Sequence, residues 1–379
     1  MRSGRHMRTS GAFAVYGSVA LLALAGCSSS STADSAASSA SATASAAASE
    51  SAATASASAA ASVAVPPIPS PTAAVALTQP TGCSNSGGMP PPPGGGTAPT
   101  PTYANVAYAN VSPSEVLDLF VPPGEGPFPL IIRIHGGAFK VGDKAMDETD
   151  AQTLMDAGFA VASINYRLSC EALFPAAAQD ALAATRFLRA NAAQYNLDPE
   201  KFATWGESAG ANLAAMVGVA GGRESFLDDP ALGNPDVSSE VQAVVGWYGP
   251  YNFLSMDSEF AADAPAACSS VDQHDPATSP ESAYVGAPIQ EVPDLANAAS
   301  PGSVYPYVVP GVELPPFSLA AGSADCLIPN AQSVNFDALI KSVGGTSSFT
   351  LLDGASHGDQ RFNSELTAPT LEFLKTSLG

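Results

Sequence analysis

Three side chains far apart in this chain have the types and the order that acyl transfer needs. Ser208 lies in Trp205-Gly206-Glu207-Ser208-Ala209-Gly210, a G-x-S-x-G pentapeptide. The residues before it, Lys201 to Trp205, have strand character, and those after it, Ala211 to Val217, are rich in helix formers. The serine therefore falls on a strand-to-helix turn, where the flanking glycines let two chain segments pass at a distance that a Cβ would forbid. At the helix N-terminus, backbone N–H groups and the helix dipole favour a developing negative charge. A hydroxyl is a poor nucleophile until a base takes its proton, and that base must itself be oriented. Three histidines follow the leader: His135, His274 and His357. Only His357, in Gly354-Ala355-Ser356-His357-Gly358, follows the last predicted strand, where the base belongs. His274 falls in an irregular insertion and reads as a surface or lid residue. The orienting acid is expected between serine and base, and Asp325 in Gly322-Ser323-Ala324-Asp325-Cys326 meets that requirement. Asp353 and Asp359 share the loop of His357 and could not easily reach behind its ring. Donors for a tetrahedral oxyanion are expected from the N–H of Ala209 and from the small-residue loop His135-Gly136-Gly137-Ala138, through Gly137 and Ala138.

These residues need a scaffold, and the hydrophobic pattern supplies one. Tyr103–Ala109 and Glu115–Val121 read as a hairpin. Apolar strands at 129–134, 159–164, 202–205, 241–247, 317–322 and 348–352 alternate with helical stretches, among them 147–157 and the long amphipathic run 175–195. Apolar strands alternating with helices imply a mainly parallel sheet covered on both faces. The block Pro250 to Glu313, after the sixth strand, breaks the alternation. It is rich in Pro, Asp and Ser, and a connection of that length is expected to overhang the strand ends and shape a pocket.

Composition divides the chain into three parts. Residues 1–26 carry Arg2, Arg5 and Arg8, then an apolar run too short to span a bilayer, then Leu24-Ala25-Gly26 before Cys27, which together read as an export signal. Residues 27–101 are Ser/Ala-rich and then Pro/Gly-rich, a composition that buries no core and reads as a disordered tether. Residues 102–379 form one large domain with ample apolar content. Losing the three arginines of the leader takes the formal charge from −21 to −24. So acidic a surface argues against nucleic acid as a partner and favours neutral substrates. Cys83, Cys170, Cys268 and Cys326 remain if Cys27 is modified. Four cysteines in an oxidising compartment allow three pairings, and spacing does not choose among them. The expected set is Cys268–Cys326, pinning the insertion beside the acid, with Cys83–Cys170 fastening the end of the tether. No metal or organic cofactor is expected, since neither H-E-x-x-H nor a phosphate or dinucleotide loop occurs.

With I-R-I-H-G-G-A-F, S-I-N-Y-R-L-S, L-D-P-E-K-F-A-T-W-G-E-S-A-G-A-N-L-A-A and A-S-H-G in view, the chain resembles, from about Leu117 to His357, the α/β-hydrolase esterases of the carboxylesterase and hormone-sensitive-lipase-like group. Within that group it is similar to the acetyl-xylan and feruloyl esterase-like bacterial enzymes. The resemblance implies the α/β-hydrolase fold, with Ser208 as nucleophile, His357 as base and Asp325 as acid, in the chain order of that fold. It also implies scaffold roles for Asn165, Tyr166, Arg167 and Asp180, and a supporting carboxylate at Glu207. Short-acyl or hydroxycinnamoyl esters of polysaccharides are the substrates it suggests. The hairpin uses up the residues ahead of the H-G-G loop, so the helical cap of hormone-sensitive-lipase relatives is small or absent. Leu24-Ala25-Gly26-Cys27 resembles the lipobox of bacterial lipoproteins, which implies a lipid anchor at Cys27 and an exported domain facing the outside of the cell membrane. The alternatives are a lipase or peptidase of the same fold and a non-catalytic surface-binding lipoprotein. Replacing Cys27 with alanine is expected to move the protein from the membrane to the soluble fraction. A variant that still sediments with membranes would contradict attachment at this residue.

Overall fold

The computed structural model describes residues 66–84 and 99–379. The leader, Cys27 and the Ser/Ala-rich run lie outside the described residues. Eight strands form one sheet in the order β1-β2-β4-β3-β5-β6-β7-β8. They are β1 (Tyr103–Ala107), β2 (Val116–Phe120), β3 (Phe128–Ile134), β4 (Ala160–Ile164), β5 (Leu197–Glu207), β6 (Ala243–Trp247), β7 (Phe317–Gly322) and β8 (Ser347–Leu352). The β1–β2 and β2–β4 pairs are antiparallel, and every other pair is parallel. This is the arrangement that the resemblance implied. Helices α1 (Ala151–Asp156), α2 (Ala176–Ala190), α3 (Ala192–Tyr195) and α4 (Ala209–Ala220) fall between strands in the first half. Helices α5 (Met256–Ala262), α6 (Pro280–Val285) and α7 (Pro293–Ala298) belong to the insertion, and α8 (Ala331–Ser342) and α9 (Thr367–Leu378) to the end of the domain.

The strands alternate faces, and both faces are covered. On β3, Leu130, Ile132 and Ile134 pack into the core beneath α2 and α4, with Leu182, Leu213 and Met216. Ile131 points the other way and joins Leu154 of α1 and Leu374 of α9. This two-sided burial is why β3, β4 and β6 read as largely apolar runs. Strand β5 lies between β3 and β6 near the middle of the sheet and delivers Ser208 at its C-terminal end. Among the described residues, no helix is long and apolar enough to cross a membrane.

Three details differ from the sequence-based expectation. The long helix over 175–195 breaks at Asn191, whose Nδ2 donates to the Phe187 carbonyl at 2.8 Å and whose own backbone leaves helical geometry. Asparagine competes for backbone partners in this way, and Asn196 closes the next turn in the left-handed region at φ 58°. Strand β5 starts at Leu197, earlier than expected. Its pairing with β3 jumps from Phe128↔Leu197 to Leu130↔Phe202, so the segment holding Pro199, which has no N–H to give the ladder, is accommodated as a bulge.

The third difference concerns the expected tether, 27–101. Residues 66–84 lie along the folded domain. Ile68 is buried, and its N–H donates to Glu224 O at 2.9 Å. The Tyr305 hydroxyl donates to Pro69 O at 2.7 Å, and Thr72 donates twice to the Asp294 carboxylate. Thr78 N–H donates to Gly286 O, and Cys83 is bonded to Cys170, their Cα atoms 5.6 Å apart. A proline-rich extended chain makes no internal hydrogen bonds, so its carbonyls remain free for the domain. Cys268–Cys326 forms the second disulfide. Truncating the chain to begin at residue 99 should therefore lower the unfolding temperature relative to a chain beginning at 66. Loss of one long-loop disulfide alone costs about 2–5 kcal/mol, or on the order of 5–15 °C in a domain of this size. Equal unfolding temperatures for the two chains would show that the strap contributes nothing.

Candidate active site

Ser208 caps α4 with φ 52° and ψ −123°, a conformation that an L-residue adopts only under constraint. The constraint comes from its neighbours. A Cβ on Gly206 would collide with the Gly210 carbonyl, and one on Gly210 with the Ile134 and His135 carbonyls. The first turn of α4 thus sits against the ends of β3 and β5 at backbone contact, and Ser208 N–H is held by Trp247 O at 3.0 Å. The serine side chain makes no capping bond to its own helix. Its Oγ lies 3.0 Å from His357 Nε2 instead.

His357 stands on the loop after β8, and its Nδ1 lies 2.8 Å from Asp325 Oδ2. In the tautomer whose Nδ1–H donates to this buried acid, the Nε2 lone pair faces the serine hydroxyl. Asp325 follows β7. Its other oxygen accepts from Leu327 N–H at 2.8 Å and Ile328 N–H at 3.0 Å. Three residues separated by 149 and 32 positions are therefore joined in one line. Asp353 accepts from Ser323 Oγ and Asp359 from Arg361 N–H, so both are engaged away from the imidazole.

The loop after β3 turns through three consecutive positive φ values, at Gly137 (114°), Ala138 (56°) and Phe139 (58°). Lys140 and Val141 N–H both donate to Gly137 O, and Ser169 donates to Phe139 O through its N–H and its hydroxyl. A Cβ on Gly136 would meet Glu207 O and the Ser208 Cβ, so this loop runs directly past Ser208. Ala138, Ser208 and Ala209 border one pocket of about 50 Å³, completed by Phe139, Leu327 and Ile328 among others. Ala209 is the first residue of α4, and its N–H is among those that a helix leaves without an internal partner.

His135 is buried and stacks on Tyr166 with ring centroids 4.4 Å apart. Burial pushes its pKa down to about 4, and its Nδ1–H donates to Gly136 O at 2.7 Å. It stays neutral and shapes the loop from below. Tyr166 OH donates to His135 O, Asn165 Nδ2 to Asp143, and Arg167 forks onto the buried Asp180 at 2.6–3.0 Å. These four residues hold the loops around the site. His274 lies in the wall of the pocket, buried and bonded to Glu281 and to Leu327 O rather than to Ser208.

Tyr248 and Arg133 are parts of the site that sequence reasoning missed. Tyr248, directly after β6, sets its ring against His357 at 4.8 Å and donates its hydroxyl to Glu207 Oε2 at 2.8 Å. Glu207 Oε1 meets Arg133 Nη2 at 2.9 Å, and Arg133 lies over the Trp205 ring at 4.4 Å. The available signal was position, since a residue at the C-terminal end of a parallel strand borders the ligand crevice. Among the described residues, no group of His, Cys, Asp and Glu is arranged to hold a metal ion.

The family BD-FAE matches residues 117–340, more than half of the chain. Esterase LipQ of Mycobacterium tuberculosis (strain ATCC 25618 / H37Rv) is 30% identical over 261 residues, covering 67% of this chain and 56% of LipQ. The chain spans about half the length of the curated relatives it matches. Among solved structures, a truncated form of a carbohydrate esterase from gut microbiota is 31% identical with a TM-score of 0.63, covering 73% of this chain and 97% of that one. The bifunctional GH43-CE of Bacteroides eggerthii is 30% identical with a TM-score of 0.64, over 73% of this chain and 38% of that one.

A Cβ at Gly137 would fall on the Val141 carbonyl, at a φ that disfavours any L side chain. Replacing Gly137 with alanine is therefore expected to displace the loop beside Ser208 and lower kcat about 100-fold, the scale of losing one oxyanion donor. The measurement is ester hydrolysis by a variant whose circular dichroism matches the parent. Unchanged kcat would remove the loop from the chemistry.

Proposed function

Because this chain belongs to the BD-FAE family, we propose that it is a serine carboxylic-ester hydrolase acting on short-acyl esters carried by carbohydrate. The observation that carries the proposal is the unbroken line from Ser208 Oγ through His357 to Asp325. In the proposed cycle, His357 Nε2 takes the hydroxyl proton as Ser208 Oγ attacks the ester carbonyl carbon. The negative charge that forms on the carbonyl oxygen is met by N–H groups of Ala209, Ala138 and Gly137. His357 then returns the proton to the departing alcohol oxygen, and the carbon–oxygen bond of the ester breaks. Water, deprotonated by the same nitrogen, hydrolyses the acyl-serine and restores the hydroxyl. Asp325 keeps the imidazole in the productive tautomer and stabilises the imidazolium formed in each half.

Three observations support the substrate class. The pocket beside Ser208, about 50 Å³, accommodates a group of acetyl size. The gut-microbiota neighbour is named a carbohydrate esterase and LipQ an esterase. The strong acidity of the chain also favours neutral esters over anionic ones. Display at the cell exterior through a lipid on Cys27 remains part of the proposal.

The test is hydrolysis of nitrophenyl esters, from acetate to long acyl chains, and of acetylated and feruloylated xylo-oligosaccharides. Acetyl esters are expected to turn over fastest. Ser208→Ala should lose on the order of 10⁶-fold in kcat without losing the fold. Substantial turnover by that variant would move the nucleophile elsewhere. No turnover of any ester by the folded parent would leave the binding-protein alternative.

A further inference from the structure

His274 is buried in the insertion, and acceptors face both of its ring nitrogens. Nδ1 lies 2.9 Å from Oε2 of the buried Glu281, and Nε2 lies 3.0 Å from the Leu327 carbonyl. A neutral imidazole has one N–H and one lone pair, so it can satisfy only one of these two acceptors. With Glu281 as a carboxylate, both contacts are hydrogen bonds only when the ring carries two protons and a positive charge.

The surroundings favour that charge. Glu281 approaches from α6. Asp257 of α5 accepts from the backbone N–H of His274 and of Asp275, at 2.7 and 3.0 Å. Asp272 and Asp275 flank the histidine on its own segment, and the Phe260 ring lies parallel to the imidazole. On the far side stands the turn after β7, which holds Asp325. Burial alone would lower the pKa of His274. The Glu281 hydrogen bond and charge, the Asp257 charge and the Leu327 carbonyl together outweigh burial and raise it above 6.5.

The Leu327 contact matters because of what the same residue does next. Leu327 N–H donates to Asp325 Oδ1, while Asp325 Oδ2 meets His357. The insertion also reaches this turn through Cys268–Cys326 and through Asp272 N–H, which donates to Cys326 O at 2.9 Å. We propose that His274, as a buried imidazolium, is a positioning residue for Asp325, and that its loss of a proton sets an alkaline limit on turnover separate from the titration of the triad. The proposal rests on the esterase reading above.

The direction follows from the two acceptors. On deprotonation the remaining proton stays with the carboxylate, the stronger acceptor, so Nε2 turns a lone pair toward Leu327 O. The hydrogen bond that breaks is the one that steadies the acid turn. A histidine whose folded pKa is raised contributes fully below its unfolded value, and the contribution disappears as pH rises through the folded value. A misplacement of about 1 Å at a catalytic group costs on the order of 100-fold in rate.

The test uses the full chain, and its spectroscopic arm does not depend on turnover. In protein labelled with ¹⁵N-histidine, both ring nitrogens of His274 are expected to be protonated at neutral pH, with assignment from His274→Gln. The low-field Nδ1–H proton of His357, which reports its bond to Asp325, should shift as His274 titrates. In kinetics, kcat for an acetyl ester should fall on the alkaline side in the parent. That limb should vanish in His274→Gln and move to lower pH in Glu281→Gln, which keeps the ring but removes the neighbouring charge. A neutral His274 at pH 7, a His357 signal unaffected by its titration, or an identical alkaline limb in all three proteins would each overturn the proposal. An inactive parent that still shows both spectroscopic signatures would refute the esterase reading and leave the coupling of His274 to Asp325 standing.

Discussion

Everything at this site depends on α4 meeting the sheet without side chains in between. Gly210 brings the first turn of the helix onto the Ile134 and His135 carbonyls, and Gly206 passes beneath Gly210. Only that approach lets Ser208 hold φ 52° and project its hydroxyl above the strand ends. The cost of such a conformation, about 1–3 kcal/mol, is borne by the core beneath it, where Leu213, Met216 and Val217 of α4 are fully buried. The same approach brings the Gly136–Phe139 loop beside the nucleophile, because that loop is the continuation of β3. Ser208 and the Gly136–Phe139 loop are consequently two ends of one packing contact.

Around this contact the structure buries more charge than it pairs. Arg133, almost wholly enclosed, faces Glu207 at 2.9 Å, Asp147 at 3.4 Å and Asp150 at 3.6 Å. One guanidinium cannot balance three carboxylates. Burial, reinforced by Glu207 and Asp150, holds Asp147 well above the usual carboxylate range against the pull of Arg133. Breaking such a cluster by removing one partner is more costly than the cluster is stabilising, since a buried charge is left alone. Its geometric effect reaches His357. Glu207 anchors Tyr248, and the Tyr248 ring, backed by Phe362 at 4.6 Å, forms one wall beside His357. Glu207 thus bears on His357 through an aromatic ring.

The parts of this arrangement that were legible in the sequence are those in which local pattern and function coincide. Apolar strands between helices announced the parallel sheet, and the glycines around Ser208 announced the turn. Asp325 and His357 could be picked out because each follows a strand in the right order. Long-range partners left no such trace. Nothing adjacent to Tyr248 in sequence says that it will reach Glu207, and Arg133 reads as an interruption in an apolar strand until Trp205 and three acids are found around it. The strap at 66–84 was obscured for a different reason. Its composition is that of a linker, and one isoleucine and one cysteine decide that it packs. Composition averages over a segment, whereas docking here rests on single residues.

The two disulfides acquire meaning from where they end. Loops at strand ends have fewer buried contacts than the sheet, and they are where local opening is least costly. Cys268–Cys326 closes on the residue after Asp325, and Cys83–Cys170 closes beside Ser169, which fixes the Phe139 carbonyl. Ser84, next to Cys83, donates its N–H to Lys140 O. One cross-link therefore braces the turn that holds Asp325 and the other braces the loop that runs past Ser208. Covalent restraint thus reaches the two segments on either side of the line from Ser208 to Asp325.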